Sequence, residues 1–164
     1  MGPILSTQSE LNPGDRSEFD PVRYILGKFI PVDRSKLNPG DHICSNRMIV
    51  AFDHHGIYVG HGMVIHLMPA EKEGGCKSVS LCESVSPCPN CGYRRGRDSG
   101  IIKTCLDCFL DGHYLFIFEN LKPCRPPDEV IRIATEFLLG KRHFGTYDPL
   151  FNNCIDFAKY CKTK

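Results

Sequence analysis

The sequence predicts a single domain of mixed strands and helices, and three observations carry that expectation. Its 164 residues suit one globular unit of ~100–200 residues, and a hydrophobic share of 41% is enough to build a core. Short segments rich in β-branched and aromatic residues gather between His42 and Leu67 and recur at Tyr114–Phe118. Two helical patterns follow toward the C-terminus.

Taken in order, residues 1–20 are polar and short of aromatics, which suits a mobile tail. The flexible extension is drawn to residue 34, and the folded domain covers 35–164. The stretch Ser9–Asp15 nearly recurs as Ser35–Asp41, but only the second copy leads into a strand pattern. Met1-Gly2 with Ser6 fits the loose myristoylation pattern, against which Pro3 stands. Strands are expected at His42–Cys44, Met48–Phe52, Gly56–Val59 and Met63–Leu67, the last two joined by a hairpin through Gly60-His61-Gly62. A loop-rich insertion at about 74–112, crowded with Cys, Gly, Ser and charge, separates these from the buried strand Tyr114–Phe118. A helix follows Pro126-Pro127, with Asp128 as its cap and Val130, Ile131, Ala134, Phe137 and Leu138 on one stripe, ending at Gly140. The last helix covers Asn152–Cys161, with Asn152 or Asn153 as cap.

Charge and composition exclude several function classes. Twenty Lys and Arg against 19 Asp and Glu leave a net +1, so the broad basic surface that binds nucleic acid is missing and no nucleic-acid partner is expected. No window approaches the ~18 apolar residues of a spanning helix, and residues 1–20 hold no signal-peptide block. The expectation is a soluble, cytoplasmic protein. Ten cysteines are about 6% of the chain, below the ~8–10% of a disulfide-built secreted scaffold. Reduced thiols are therefore the default, with burial, metal ligation or nucleophilic catalysis as their fates.

Position singles out Cys154. A helix start carries partial positive charge and unpaired N–H donors, which stabilise a thiolate over a thiol. Such cysteines fall from a pKa of ~8.5 to between ~3.5 and ~7.5. From position alone Cys154 fits a buried core thiol as well as a nucleophile. A nucleophile needs a base, and the base needs an orienting group. His54 and His66 lie six positions either side of Gly60, so a hairpin turn there sets them close to opposite each other. His55 points to the other face by strand alternation, and His61 lies in the turn.

The segment His54-His55-Gly56-Ile57-Tyr58-Val59-Gly60 running on to Val64-Ile65-His66-Leu67, with Asn153-Cys154-Ile155-Asp156-Phe157 far downstream, resembles the lecithin:retinol acyltransferase-like family. That family includes the HRAS-like suppressor phospholipase/acyltransferases, and the cysteine-rich middle looks most like its plant NC domain-containing branch. The resemblance runs from about Leu37 to Thr163. It implies an α+β, circularly permuted papain-like (NlpC-type) fold: an antiparallel sheet with helices, here carrying the Cys-rich insertion. It also implies a Cys-His-His triad of Cys154, His54 and His66, acting on an acyl ester such as a lipid. Two departures stand out. Relatives commonly have Glu-His where this chain has Ile155-Asp156, and often a Tyr where it has Phe52. Membrane-acting relatives often carry a C-terminal hydrophobic anchor where this sequence reads Lys162-Thr163-Lys164, so any membrane contact is expected to be peripheral.

Within the insertion, Cys88-x2-Cys91 and Cys105-x2-Cys108, separated by 13 residues, match the spacing of a tetrathiolate zinc ribbon. Such a closed site is structural and leaves no position for catalysis. Disulfides or free thiols are the alternatives, with Cys76, Cys82 and Cys124 as other ligands. No organic cofactor is expected. Tyr93-Arg94-Arg95-Gly96-Arg97 forms a small basic patch, either solvated or directed at an anionic group. Two functions follow: a cysteine-nucleophile acyltransferase or lipid hydrolase, or a non-catalytic adaptor offering the zinc-bearing insertion to a protein partner.

Overall fold

The computed structural model describes residues 27–46, 53–70 and 85–164. The expected strand Met48–Phe52, the residues Cys76, Cys82 and Phe52, and the N-terminal tail with its repeat and lipidation pattern lie outside the described residues. Among those described, the strands are β1 (Gly27–Pro31), β2 (His42–Asn46), β3 (His54–Gly60), β4 (Met63–Met68), β5 (Gly100–Cys105) and β6 (Tyr114–Asn120). The helices are α1 (Leu106–Leu110), α2 (Pro127–Leu138) and α3 (Cys154–Lys162). The strands form one sheet in the order β1-β6-β2-β3-β4-β5, antiparallel at every pairing. The expected mixed α+β architecture is thus observed.

Strand alternation divides the core in two. Ile57 on β3 and Ile65 and Leu67 on β4 pack with Val130, Ile133, Ala134 and Phe137 of α2 and Phe157, Ala158 and Cys161 of α3. On the opposite face, Ile43 and Val64 pack with Leu106, Phe109 and Leu110 of α1. Burial at this level stabilises each Leu, Ile or Phe by about 1.5–3 kcal/mol.

Three expectations about boundaries need correction. Gly27–Pro31, assigned to the flexible extension, is an edge strand in register with β6 from Gly27↔Asn120 to Pro31↔Phe116. The insertion is not all loop: it supplies β5, paired to β4 from Met63↔Cys105 to Met68↔Gly100, and α1. The cap of α2 is Pro126, with Pro127 in the first turn and Asp128 and Glu129 just inside it. Proline there costs nothing, because the N–H it lacks would have no helical partner. The helix closes where expected, with Gly140 at φ +71°, a conformation that glycine adopts without strain.

The β3–β4 hairpin turns on His61-Gly62, both at positive φ, as the twist of a two-residue connection demands. A register shift between Tyr58 and Gly60 precedes it. Asn153 caps α3: its side chain accepts from the N–H of Ile155 and Asp156, and Asp156 accepts from the N–H of Asn153. This reciprocal box gives a structural use to Asp156, one of the two residues that depart from the family pattern.

Candidate active site

The two expected histidines meet. His54 Nε2 lies 2.7 Å from His66 Nδ1, and His66 Nε2 lies 2.9 Å from Thr104 Oγ1 on β5. The contact is diagonal rather than directly cross-strand, because the register partner of His66 is Gly56. Glycine at 56 is what lets the rings close up. A Cβ there would stand 2.8 Å from Val64 Cγ1, 2.9 Å from Phe109 Cε2 and 3.1 Å from His66 Cβ. Phe109 of α1 packs against both rings, with centroids 5.1 Å from His54 and 5.2 Å from His66.

The Thr104 hydroxyl donates to the Cys105 carbonyl at 3.2 Å. The tautomers consistent with that bond have Thr104 accept from His66 Nε2–H and His66 Nδ1 accept from His54 Nε2–H. The pair borders a pocket of about 210 Å³, whose wall also includes Tyr93, Arg95, Cys108 and Phe109.

Cys154 is the first residue of α3. This helix packs on the face of β3 that carries His55 and Ile57, whereas the His54 ring lies on the α1 face. The sulfur reaches the start of β3, 3.7 Å from the carbonyl oxygen of Asp53, with the N–H of His55 also directed at it. The thiol therefore abuts the two residues that flank His54 in the chain. Burial pushes it up to about 11, against the downward pull of the N–H groups of His55, Ile155 and Cys154 itself. The expected depression of its pKa by the helix start is overturned, because removal from water outweighs those donors. In the resting protein Cys154 is a thiol, and its proton must be taken by a base.

A second imidazole pair escaped the sequence reading. His42 Nε2 lies 2.8 Å from His55 Nδ1, and Asn120 Nδ2 donates to His42 Nδ1 at 3.1 Å. Both rings pack on Phe118, and Lys159 of α3 lies over the other side of this cluster, 5.3 Å from the Phe118 centroid. Burial lowers His42 to about 3, with Lys159 and Lys162 acting in the same direction. Burial also holds His55 well below the usual imidazole range, helped by His42, His54 and Lys159. Both stay neutral near pH 7.

The sulfur atoms of Cys88, Cys91, Cys105 and Cys108 all lie within 4.8 Å of one another. Cys88 and Cys105 are 3.9 Å apart and Cys91 and Cys108 3.7 Å. A tetrahedron of sulfurs around an ion at ~2.3 Å has edges of roughly 3.8 Å, whereas a disulfide needs about 2.0 Å. The cluster thus offers a tetrahedral thiolate set for a metal ion, and these four are free thiols. In the first knuckle Gly92, at φ +77°, donates to the Cys88 carbonyl at 2.7 Å. The N–H groups of Asn90 and Cys91 lower Cys88 to about 7. Cys124, an alternative ligand on sequence grounds, is exposed and bridges to Thr163 instead. Cys44 and Cys161 are fully buried. In the basic patch, Arg95 pairs with Asp111 and Arg94 with Asp98.

The antiparallel sheet, the helix-borne Cys154 at the start of β3 and the His54–His66 pair agree with the papain-like, NlpC-type α+β class that the resemblance implies. The lecithin retinol acyltransferase family matches residues 35–164, and the chain belongs to that family. It is 38% identical over 156 residues to Protein LEAD-SENSITIVE 1 of Arabidopsis thaliana, an alignment covering 80% of this chain and 60% of that protein. The chain therefore spans less than two thirds of the length of this plant relative.

Proposed function

We propose that the protein transfers acyl groups from an ester, with Cys154 as nucleophile, His54 as base and His66 as the group that orients it. The observation that carries this reading is the His54–His66 contact at 2.7 Å, at the pocket edge and at the point of β3 where Cys154 arrives. Catalysis by this trio requires His54 Nδ1 to face the sulfur around the end of β3, where Cys154 lies 3.7 Å from the carbonyl oxygen of Asp53. His54 takes the thiol proton as sulfur attacks the ester carbonyl carbon, and returns it to the departing alcohol oxygen. The resulting acyl thioester then passes its acyl group to water or an amine, which His54 deprotonates in turn. The N–H groups of His55 and Ile155, already directed at the sulfur, supply donors for the oxyanion. A thiol at about 11 favours this coupled proton transfer over a preformed ion pair.

Membership of an acyltransferase family supports a lipid ester as the donor. Among the described residues no helix is long and apolar enough to cross a membrane, which fits peripheral contact with a lipid surface in the cytoplasm. The four-cysteine cluster is read as a structural zinc site: softness of the ligands and tetrahedral spacing both suit Zn²⁺.

Turnover of a fluorogenic fatty-acyl ester, with water and with a primary amine as acceptors, tests the reading. Cys154→Ala is expected to reduce turnover by at least ~10³-fold and His54→Gln by about 10²–10⁴-fold. Unchanged turnover in Cys154→Ala would remove Cys154 as the nucleophile, whereas no turnover in the native protein would leave the non-catalytic adaptor in its place.

A further inference from the structure

The cysteine cluster and the histidine pair share covalent neighbours. Cys105 directly follows Thr104, whose hydroxyl lies 2.9 Å from His66 Nε2 and donates to the Cys105 carbonyl. Cys108 directly precedes Phe109, the ring that packs on both His54 and His66. Each cysteine contributed by the β5–α1 segment is thus bonded to a residue that touches an imidazole. Cys108 lines the same pocket as the two histidines.

The segment between them is held from the sheet side, by the β4–β5 ladder, by the packing of Leu106, Phe109 and Leu110 on Ile43 and Val64, and by Ser45 Oγ donating to the Leu110 carbonyl at 2.9 Å; toward the Cys88–Cys91 knuckle it is tied less firmly. Helix α1 has five residues and no side-chain hydrogen bond at its Cys105 cap, far below the length at which a helix persists alone. Among the described residues β5 lies at the end of the sheet, paired to β4. The cysteines facing it, Cys88 and Cys91, sit in a knuckle of turns and loop, and thiol-to-thiol contacts are weak. An ion bound by all four sulfurs would tie the knuckle to both ends of the Cys105–Cys108 turn.

We propose that metal in the four-cysteine cluster positions the histidine pair, with Thr104 and Phe109 as the positioning residues. Thr104 selects the tautomer of His66, and through it that of His54. Phe109 closes the α1 side of both rings. The metal does no chemistry on the substrate. The consequence for turnover rests on His54 acting as the base, whereas the structural coupling does not depend on it.

The test uses the full chain labelled with nitrogen-15 at histidine, loaded with Zn²⁺ and compared with chelated protein. Native mass spectrometry is expected to show one zinc per chain, and long-range proton–nitrogen spectra report which ring nitrogen carries hydrogen. In zinc-loaded protein His66 is expected to be protonated at Nε2 alone. Chelation is expected to give mixed tautomers and to lower kcat on the order of 10²-fold, as misplacing a base by about 1 Å does. Zinc-loaded Thr104→Val should keep its metal and its core methyl spectrum yet show the same mixed tautomers, and Thr104→Ser should restore a single one. No uptake of metal, or a single Nε2 tautomer retained in folded Thr104→Val, would overturn the proposal. Where chelation unfolds the domain, the zinc-loaded Thr104→Val protein decides. The spectra need no turnover, so a Cys154→Ala protein that still shows the metal dependence separates failure of the catalytic reading from failure of this one.

Discussion

The sheet carries two imidazole pairs of nearly equal N···N distance, His54–His66 at 2.7 Å and His42–His55 at 2.8 Å, on opposite faces. Each ends on a neutral polar group, Thr104 in one case and Asn120 in the other. Their settings differ. His54–His66 borders a pocket and His54 is 9% exposed, while His42 and His55, 0% and 2% exposed, pack on Phe118. A short contact between imidazoles is therefore no sign of chemistry by itself. Access to a pocket makes the first pair a candidate relay, and its absence from the surface makes the second a cross-brace that holds β2, β3 and β6 in register. The brace also fixes His55, whose main-chain N–H faces the sulfur of Cys154.

The comparison breaks most visibly in acid. His42 titrates at about 3 in the folded chain instead of 6.5, so its contribution to stability is present above pH 6.5 and is lost as pH falls toward 3. The difference corresponds to an amount on the order of 5 kcal/mol, a large part of the 5–15 kcal/mol that holds a typical domain together. Chemical denaturation between pH 7 and 4 should show a steep loss of stability. His42→Asn should be less stable at pH 7 and flatter across that range. An equally steep loss in a variant lacking both the His42 and the His55 imidazoles would show that the brace does not set the acid limit.

A smaller effect sharpens the contrast from the other side. Gly56→Ala places a methyl group against Val64, Phe109 and His66, at an overpacking cost of about 1–3 kcal/mol. It should separate His54 from His66 and reduce turnover while leaving the acid dependence set by His42 intact. Thermal melts and ester kinetics on the same protein check both halves of that statement.

The legible parts of this molecule in its sequence are those whose signal is local. The spacing of His54 and His66 about a glycine turn announced their meeting, although the turn centres on His61-Gly62 and so makes the contact a diagonal one, with Gly56 opposite His66. The paired C-x2-C motifs announced the cysteine cluster, which the 3.7 and 3.9 Å sulfur separations bear out as a ligand set. Asn153 announced the start of α3. What stayed hidden depends on pairing at a distance. β1 lies in a stretch read as tail and is ordered by its partner β6. Gly100–Cys105 was masked by the composition of the insertion around it and is a strand because β4 accepts it. His42 carries no spacing signal toward His55, since β2 and β3 find their register through the sheet. The state of the Cys154 thiol was misjudged because a helix start is visible in a sequence and burial is not.

The central claim is that the sulfur of Cys154 becomes acylated and that His54 drives the step. Intact-protein mass spectrometry after rapid mixing with a long-chain acyl ester, followed by peptide mapping, measures this directly. One acyl group per chain is expected, on Cys154, formed much more slowly in His54→Gln and at the normal rate in a variant of exposed Cys124. An acyl adduct on another residue, or acylation of Cys154 at the same rate without the His54 imidazole, would contradict it.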